Sequence, residues 1–130
     1  MTTGRVDEEL GLLRSLFPEL VYQEWNGQHW VRISDFALPE GWSQDASQIA
    51  FHIPAEVGQP PYGFWVHPAI TLASGGSVNN CTPTATTPWG SDWMQFSWSP
   101  VSWQPNVEIR SGDNMLNFLF SILDRLRELS

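Results

Sequence analysis

The sequence contains no lysine and a single cysteine, and it is poor in positive charge of any kind. Its six basic residues are all arginines and face fourteen acidic residues, so the formal net charge is -8. That charge repels phosphate backbones, and nucleic acid is therefore not expected as a partner. One cysteine cannot form an internal disulfide, and the first nine residues lack the apolar block of a secretory signal. We therefore expect a cytoplasmic protein.

Long apolar runs are also missing. No stretch approaches the ~18 consecutive apolar residues that a membrane span requires, although 42% of the residues are hydrophobic. We therefore expect no membrane partner. A chain of 130 residues has the usual size of one domain with one core, and no linker or internal repeat divides it. The prediction is a single domain over residues 1–130.

Apolar residues recur at helical spacing near both ends of the chain. The N-terminal series is Val6, Leu10, Leu13 and Phe17. Pro18 is expected to end this first helix, because proline removes a backbone donor and clashes with the preceding turn. The C-terminal pattern has a broad apolar face and predicts a helix over residues 112–129, with Ser111 as its N-cap.

Four short segments between these helices have the pattern of strands: residues 21–25, 29–33, 49–53 and 63–66. Asn26 and Gly27 separate the first two, and this pair is a strong hairpin signal because both turn positions adopt positive φ. The sequence therefore predicts an α+β fold in which an N-terminal helix precedes a four-stranded antiparallel meander and a C-terminal helix closes the chain.

Residues 71–88 are mostly Ser, Thr, Gly, Asn, Pro and Ala. Because they offer little apolar surface to bury, we predict one long loop, and long loops in compact domains are often functional. Cys81, the only thiol, lies within it. A cysteine in such polar surroundings is expected near the surface, where its thiol can accept an acyl group.

Tryptophan is abundant, with eight residues in the chain. Exposed indoles can stack on sugars, but core packing is the favoured interpretation for most of them, since several alternate within predicted strands. Trp93 and Trp103 are expected to help cover the sheet edge and clamp the long loop. His29 and His52 lie near no cysteine or acidic cluster, so neither a metal nor another cofactor is predicted.

Several segments resemble the ubiquitin-conjugating-enzyme (UBC) superfamily. Residues 51–54 and 59–68 resemble that superfamily's strand, proline-rich turn, strand and HPN segment, and residues 98–100 and 103–105 resemble the Trp and Pro that precede its next helix. A closer resemblance is to family E of the prokaryotic UBC-like proteins. It is carried by residues 35–42, 93–97 and 112–119.

The resemblance implies a UBC-like fold and a carrier in a bacterial ubiquitin-like protein modification pathway. Cys81, fourteen residues after His67, would accept the C-terminus of a ubiquitin-like protein and pass it to an amine. The implied partners are that ubiquitin-like protein, a ThiF-like activating enzyme and a JAB-type peptidase of the same pathway. His67 and Pro68 match the first two HPN residues and are expected to brace the active-site loop. Ala69 replaces the asparagine.

Three alternatives remain open from the sequence. Asn79 and Asn80 either stabilise an oxyanion at Cys81 or serve as turn formers, a common role of asparagine in such loops. The chain is either a carrier or a non-catalytic UBC-fold binding module that docks a ubiquitin-like protein or its activating enzyme. A hydroxyl, that of Ser77 or Thr82, is the alternative acyl acceptor and would form an oxyester.

Overall fold

The computed structural model describes residues 4–56, 59–100 and 102–129. Two helices, six strands and one short 3-10 turn follow one another in it, which confirms the α+β prediction. In chain order they are α1 (Gly4–Arg14), β1 (Val21–Trp25), β2 (Gln28–Ala37), β3 (Ala46–Ile53), β4 (Phe64–His67), β5 (Cys81–Thr87), β6 (Gly90–Phe96), the 3-10 turn (Ile109–Ser111) and α2 (Met115–Arg127).

The strands form one antiparallel sheet in the order β1-β2-β3-β4-β6-β5. The first four are consecutive neighbours in this sheet. Asn26 and Gly27 form the turn between β1 and β2 with φ of 52° and 76°, as expected for a hairpin whose two central residues adopt positive φ. After β4 the chain crosses to the outer edge, forms β5 and returns as β6, which lies between β5 and β4.

The prediction of a four-stranded sheet followed by a loop over residues 71–88 was wrong. The sheet has six strands, and β5 occupies the second half of that segment. Its threonines favour strand geometry because they are β-branched. The sequence of β5 lacks the alternation of apolar and polar residues that would predict a strand. The reason is that β5 is an edge strand and most of its side chains are exposed. The irregular connection between β4 and β5 is therefore confined to residues 68–80.

Both helices pack apolar side chains into one core on one face of the sheet. Strands β2, β3, β4 and β6 contribute to this helix-side core at alternate positions, as a pleated sheet requires. Its strand members include Val31, Ile33, Ile49, Phe51, Ile53, Phe64, Val66, Met94 and Phe96, and its helix members include Val6, Leu10, Leu13, Phe118, Leu119, Ile122 and Leu126.

Tryptophan side chains cover the opposite face of the sheet. This tryptophan layer contains the buried Trp30, Trp65 and Trp93 around Ala50, with Trp25 and Trp89 packed at its margin. The three central indoles are only 2%, 6% and 2% exposed. Core packing is therefore their role, and they offer no open platform on which a sugar could stack.

The second helix begins later than predicted. Its N-cap is Asn114, whose side chain accepts hydrogen bonds from the backbone N–H groups of Leu116 and Asn117. The Asn117 side chain accepts from the Asn114 backbone in return and completes a capping box. Ser111, the predicted cap, ends the preceding 3-10 turn instead. Asn114 satisfies the helix N–H groups that Ser111 was expected to satisfy.

A buried ion pair within α1 also binds the backbone at the start of α2. Arg5 Nε donates to Glu9 Oε2 at 3.2 Å within α1, and Glu9 Oε1 accepts from the Met115 backbone N–H at 2.9 Å. Arg5 also donates to the backbone carbonyls of Asn106 and Asp113. Burial raises the pKa of Glu9 despite these contacts. The pair fixes the start of α2 against α1.

None of the helices in the described ranges is both long and apolar enough to cross a lipid bilayer.

Candidate functional site

Cys81 is the first residue of edge strand β5. It pairs with Phe96 of β6, and its side chain packs at the margin of the helix-side core. The thiol is half-buried and donates a weak hydrogen bond to the Val78 carbonyl at 3.4 Å. A side chain that is partly exposed at the end of a strand is positioned by the sheet and still accessible from the solvent.

Asn79 and Asn80 come directly before Cys81, and both are exposed. Asn80 has φ of 56°, a left-handed conformation that asparagine tolerates better than most residues. Its carbonyl accepts from the Ser97 backbone N–H at 2.8 Å. Asn80 therefore adopts a turn conformation, and its exposed carboxamide lies next to the cysteine in the chain.

Arg125 of α2 contacts the same segment from the protein interior. Its Nη2 donates to the Asn79 carbonyl at 2.8 Å, and its guanidinium lies 5.4 Å from the centroid of the Phe96 ring. The residue is 3% exposed. A buried guanidinium thus contacts the residue two positions before Cys81 and the cross-strand partner of Cys81.

The structure separates His67 from Cys81. The register links Cys81 through Phe96 to Phe64, at the start of β4, whereas His67 ends that strand. Three residues of strand correspond to about 10 Å along the sheet. His67 Nε2 donates a hydrogen bond to Asp92 Oδ2 at 2.9 Å. This hydrogen bond holds the pKa of Asp92 below its usual value.

The other residues that were expected to support the site also lie in separate parts of the fold. Trp93 belongs to the tryptophan layer, where its ring lies 5.2 Å from the His67 ring. Cys81 packs against the core on the opposite face. The Pro68 carbonyl accepts a hydrogen bond from Ser47 Oγ on β3. Trp103 contacts Phe118 of α2 edge-on at 6.5 Å.

The described part of the chain contains no group of three or more His, Cys, Asp or Glu side chains arranged to hold a metal ion. Segment 78–81 provides one thiol and two exposed carboxamides, and Arg125 of α2 places a buried guanidinium against the segment. These groups suit acyl transfer, which needs a nucleophile and hydrogen-bond donors for an oxyanion.

Arg125 is not identified as a site residue by the sequence analysis. A signal for its burial exists in the pattern. Phe118, Ile122 and Arg125 follow the i, i+4, i+7 spacing of one helix face, and the first two are apolar. An arginine in the apolar row of a helix indicates a buried partner, although the sequence cannot say which one.

The α+β fold, with its antiparallel meander, the His-Pro pair at the end of the fourth strand and a cysteine further along the chain, is compatible with the E2-like class of ubiquitin-conjugating-enzyme relatives. The sequence model described as "Prokaryotic E2 family E" matches residues 9–127, and the chain belongs to this family. The resemblance noted from the sequence is thereby confirmed. Comparisons with curated proteins and with solved structures gave no match.

Membership of this bacterial E2-like family suggests a role in a ubiquitin-like conjugation pathway. It implies, in general terms, interaction with a ubiquitin-like protein and with an activating enzyme.

Proposed function

We propose that the protein is a cytoplasmic carrier that accepts the C-terminus of a ubiquitin-like protein on Cys81 and passes it to an amine. The observation that carries the proposal is the position of the thiol. Cys81 is half-buried at the first residue of an edge strand, directly after two exposed asparagines. A partner can approach this edge from solvent, while the hydrogen-bonded pairing of β5 with β6 holds the nucleophile in place.

The proposed chemistry consists of two acyl transfers. In the first, the Cys81 thiolate attacks the thioester carbonyl on a ThiF-like activating enzyme, a new C–S bond forms, and the thiolate of that enzyme leaves. In the second, an amine attacks the new thioester, an amide C–N bond forms, the amine loses its proton to solvent, and the Cys81 thiolate leaves. A JAB-type peptidase belongs to the same proposed pathway.

The side-chain amides of Asn79 and Asn80 are proposed to donate hydrogen bonds to the tetrahedral oxyanion in each transfer. Such donors act where negative charge develops and need to be oriented in advance. The left-handed backbone of Asn80 and the anchored carbonyl of Asn79 support this orientation. His67, Pro68, Trp93 and Trp103 are proposed to act indirectly, by holding the sheet and helix that flank the segment.

The test is incubation with the activating enzyme, the ubiquitin-like protein and ATP, followed by electrophoresis with and without a thiol reductant. We expect a higher-mass adduct that the reductant removes, because thioesters exchange with thiols and amides do not. Cys81→Ser should give a reductant-resistant oxyester or no adduct, and Cys81→Ala should give none. An unchanged adduct in Cys81→Ala would contradict the proposal and direct attention to the hydroxyls of Ser77 and Thr82.

The role of the Asn80 carboxamide can be separated from its backbone conformation. Asn80→Gly keeps positive φ accessible and removes the amide, whereas Asn80→Ala also strains the turn. If the amide stabilises the oxyanion, both variants should slow discharge to an amine more than they slow loading. Slow discharge in Asn80→Ala alone would assign the effect to the backbone.

One observation favours a second candidate, the non-catalytic binding module. His67 is remote from Cys81, and the HPN asparagine is replaced by Ala69. Such a module would bind the ubiquitin-like protein or the activating enzyme without any covalent adduct. Measurable binding that is unchanged in Cys81→Ala, together with no adduct in the wild-type protein, would support the module and refute the carrier.

A further inference from the structure

We propose that Arg125 is the positioning residue of Cys81: it acts through segment 78–81 and sets how far the thiol is exposed. The functional meaning of this inference rests on the proposed carrier role. The physical claim concerns only the accessibility of the thiol and can be tested without any partner.

Two contacts of Arg125 lie on either side of Cys81. The first is the 2.8 Å hydrogen bond from Nη2 to the Asn79 carbonyl, two residues before the cysteine. The second is the 5.4 Å approach of the guanidinium to the ring of Phe96, which pairs with Cys81 across the sheet. The same planar cation therefore restrains the segment that leads into Cys81 and the strand beside it.

The hydrogen bond also spans the fold, because it links α2 to a segment 46 residues earlier in the chain. At the same end of this connection, the Ser97 backbone N–H donates to the Asn80 carbonyl at 2.8 Å from the residue after β6. Two further polar contacts act nearer to β4. Gln44 donates to the Ala69 carbonyl and Ser43 pairs with Thr71. Arg125 thus supplies a polar contact from α2 to the last residues before β5.

Burying a guanidinium is unfavourable unless its donors are satisfied. Arg125 is 3% exposed and lies on the helix face that also carries Phe118 and Ile122, where an apolar residue would be the ordinary choice. Its position in the last turn of α2 lowers the cost, because the helix dipole favours a cation there. Glu128 also lies 3.8 Å from Nη1. The planar guanidinium of Arg125 can donate to a carbonyl and lie against an aromatic ring at the same time.

The experiment measures the alkylation rate of the single thiol with iodoacetamide under native conditions. The variants are Arg125→Met, Arg125→Lys and the matched control Arg127→Met, which removes an exposed arginine of the same helix that pairs with Asp124. Arg125→Met should raise the rate about tenfold or more, since losing a charge-assisted hydrogen bond shifts a local opening equilibrium by that factor. Arg125→Lys should restore part of the protection, and Arg127→Met should match the wild type.

A purely structural role is excluded by a stability-matched variant. Leu10→Ala removes a buried side chain of α1, so it lowers the melting temperature through the other helix and leaves Arg125 in place. The alkylation rates of the two variants are compared under conditions in which both have lost the same free energy of unfolding. If Arg125→Met then raises the alkylation rate no more than Leu10→Ala does, the inference is overturned. A rate in Arg125→Met equal to that of the wild type overturns it as well.

The carrier assay adds an independent readout. Arg125→Met should lower the maximal loading rate while the concentration of ubiquitin-like protein at half-maximal loading stays constant, since the docking surface is intact. A changed half-maximal concentration with an unchanged maximal rate would overturn the positioning role. If no adduct forms even in the wild type but the alkylation pattern holds, the carrier proposal fails and the physical claim about Arg125 stands.

Discussion

His52 provides the sharpest test of the tryptophan layer. Its ring lies 4.1 Å from the ring of Trp30 and 4.8 Å from that of Trp65. Its Nε2 is buried and finds no hydrogen-bond partner within the described ranges. Burial disfavours the charged imidazolium and lowers the pKa of His52 from 6.5 to about 4.

This shift has a definite sign and size. The unfolded chain takes up a proton at His52 as the pH falls below 6.5, whereas the folded protein resists until the pH approaches 4. The stabilisation is therefore complete above pH 6.5 and is lost as the pH falls through this window. Since one pKa unit corresponds to about 1.4 kcal/mol, the full loss is about 3 kcal/mol. About 2 kcal/mol of it falls between pH 7 and pH 5.

The assay compares the wild type with His52→Phe by urea unfolding between pH 7 and pH 5, above the isoelectric point of about 4.5. Phenylalanine keeps an aromatic ring between the two tryptophans and cannot titrate. We expect the variant to lie within about 1.5 kcal/mol of the wild type at pH 7. Relative to the wild type, it should gain about 2 kcal/mol by pH 5. Parallel stability curves over this range would refute the reasoning, because they would mean that His52 titrates equally in both states.

Three further changes test the helices. Leu119→Ala should cost about 2–5 kcal/mol in denaturant unfolding, because it leaves a cavity in the helix-side core; a cost below 1 kcal/mol would contradict its 3% exposure. Asn114→Ala should cost about 1–2 kcal/mol through loss of the cap, and helix content by circular dichroism should fall with it. Glu9 has a raised pKa, so its contribution to stability falls as pH rises above 4.5, and Glu9→Gln should remove that decline from the pH profile.

Local signals were sufficient to predict most of the fold. The turn at Asn26 and Gly27 determined the first hairpin, and the apolar periodicity determined both helices, because each of these depends on neighbours in the chain. Strand β5 could not be found in this way. An edge strand pairs with only one neighbour. Because most threonines of β5 are exposed, its sequence does not alternate between apolar and polar residues and does not indicate a buried face.

The candidate site was predicted only in part. Cys81 is partly exposed, as its polar surroundings indicated. Cys81 is separated from His67 in part because β6 lies between β4 and β5. The composition of residues 71–88 does not indicate this strand order. The contact between Arg125 and Asn79 depends on packing between residues that are distant in sequence, so no local pattern identifies the pair.

Strand β6 has a consequence for how the molecule unfolds. Trp93 belongs to the tryptophan layer, while Met94 and Phe96 belong to the helix-side core. Strand β6 therefore contributes side chains to two apolar regions on opposite faces of the sheet. Unfolding of β6 would disrupt both regions together. Loss of structure at the centre of the sheet should be cooperative. Strand β5, like β1 at the other edge, has a single neighbour and can detach at lower cost, so the cysteine lies at an edge of the sheet that can open while both cores persist.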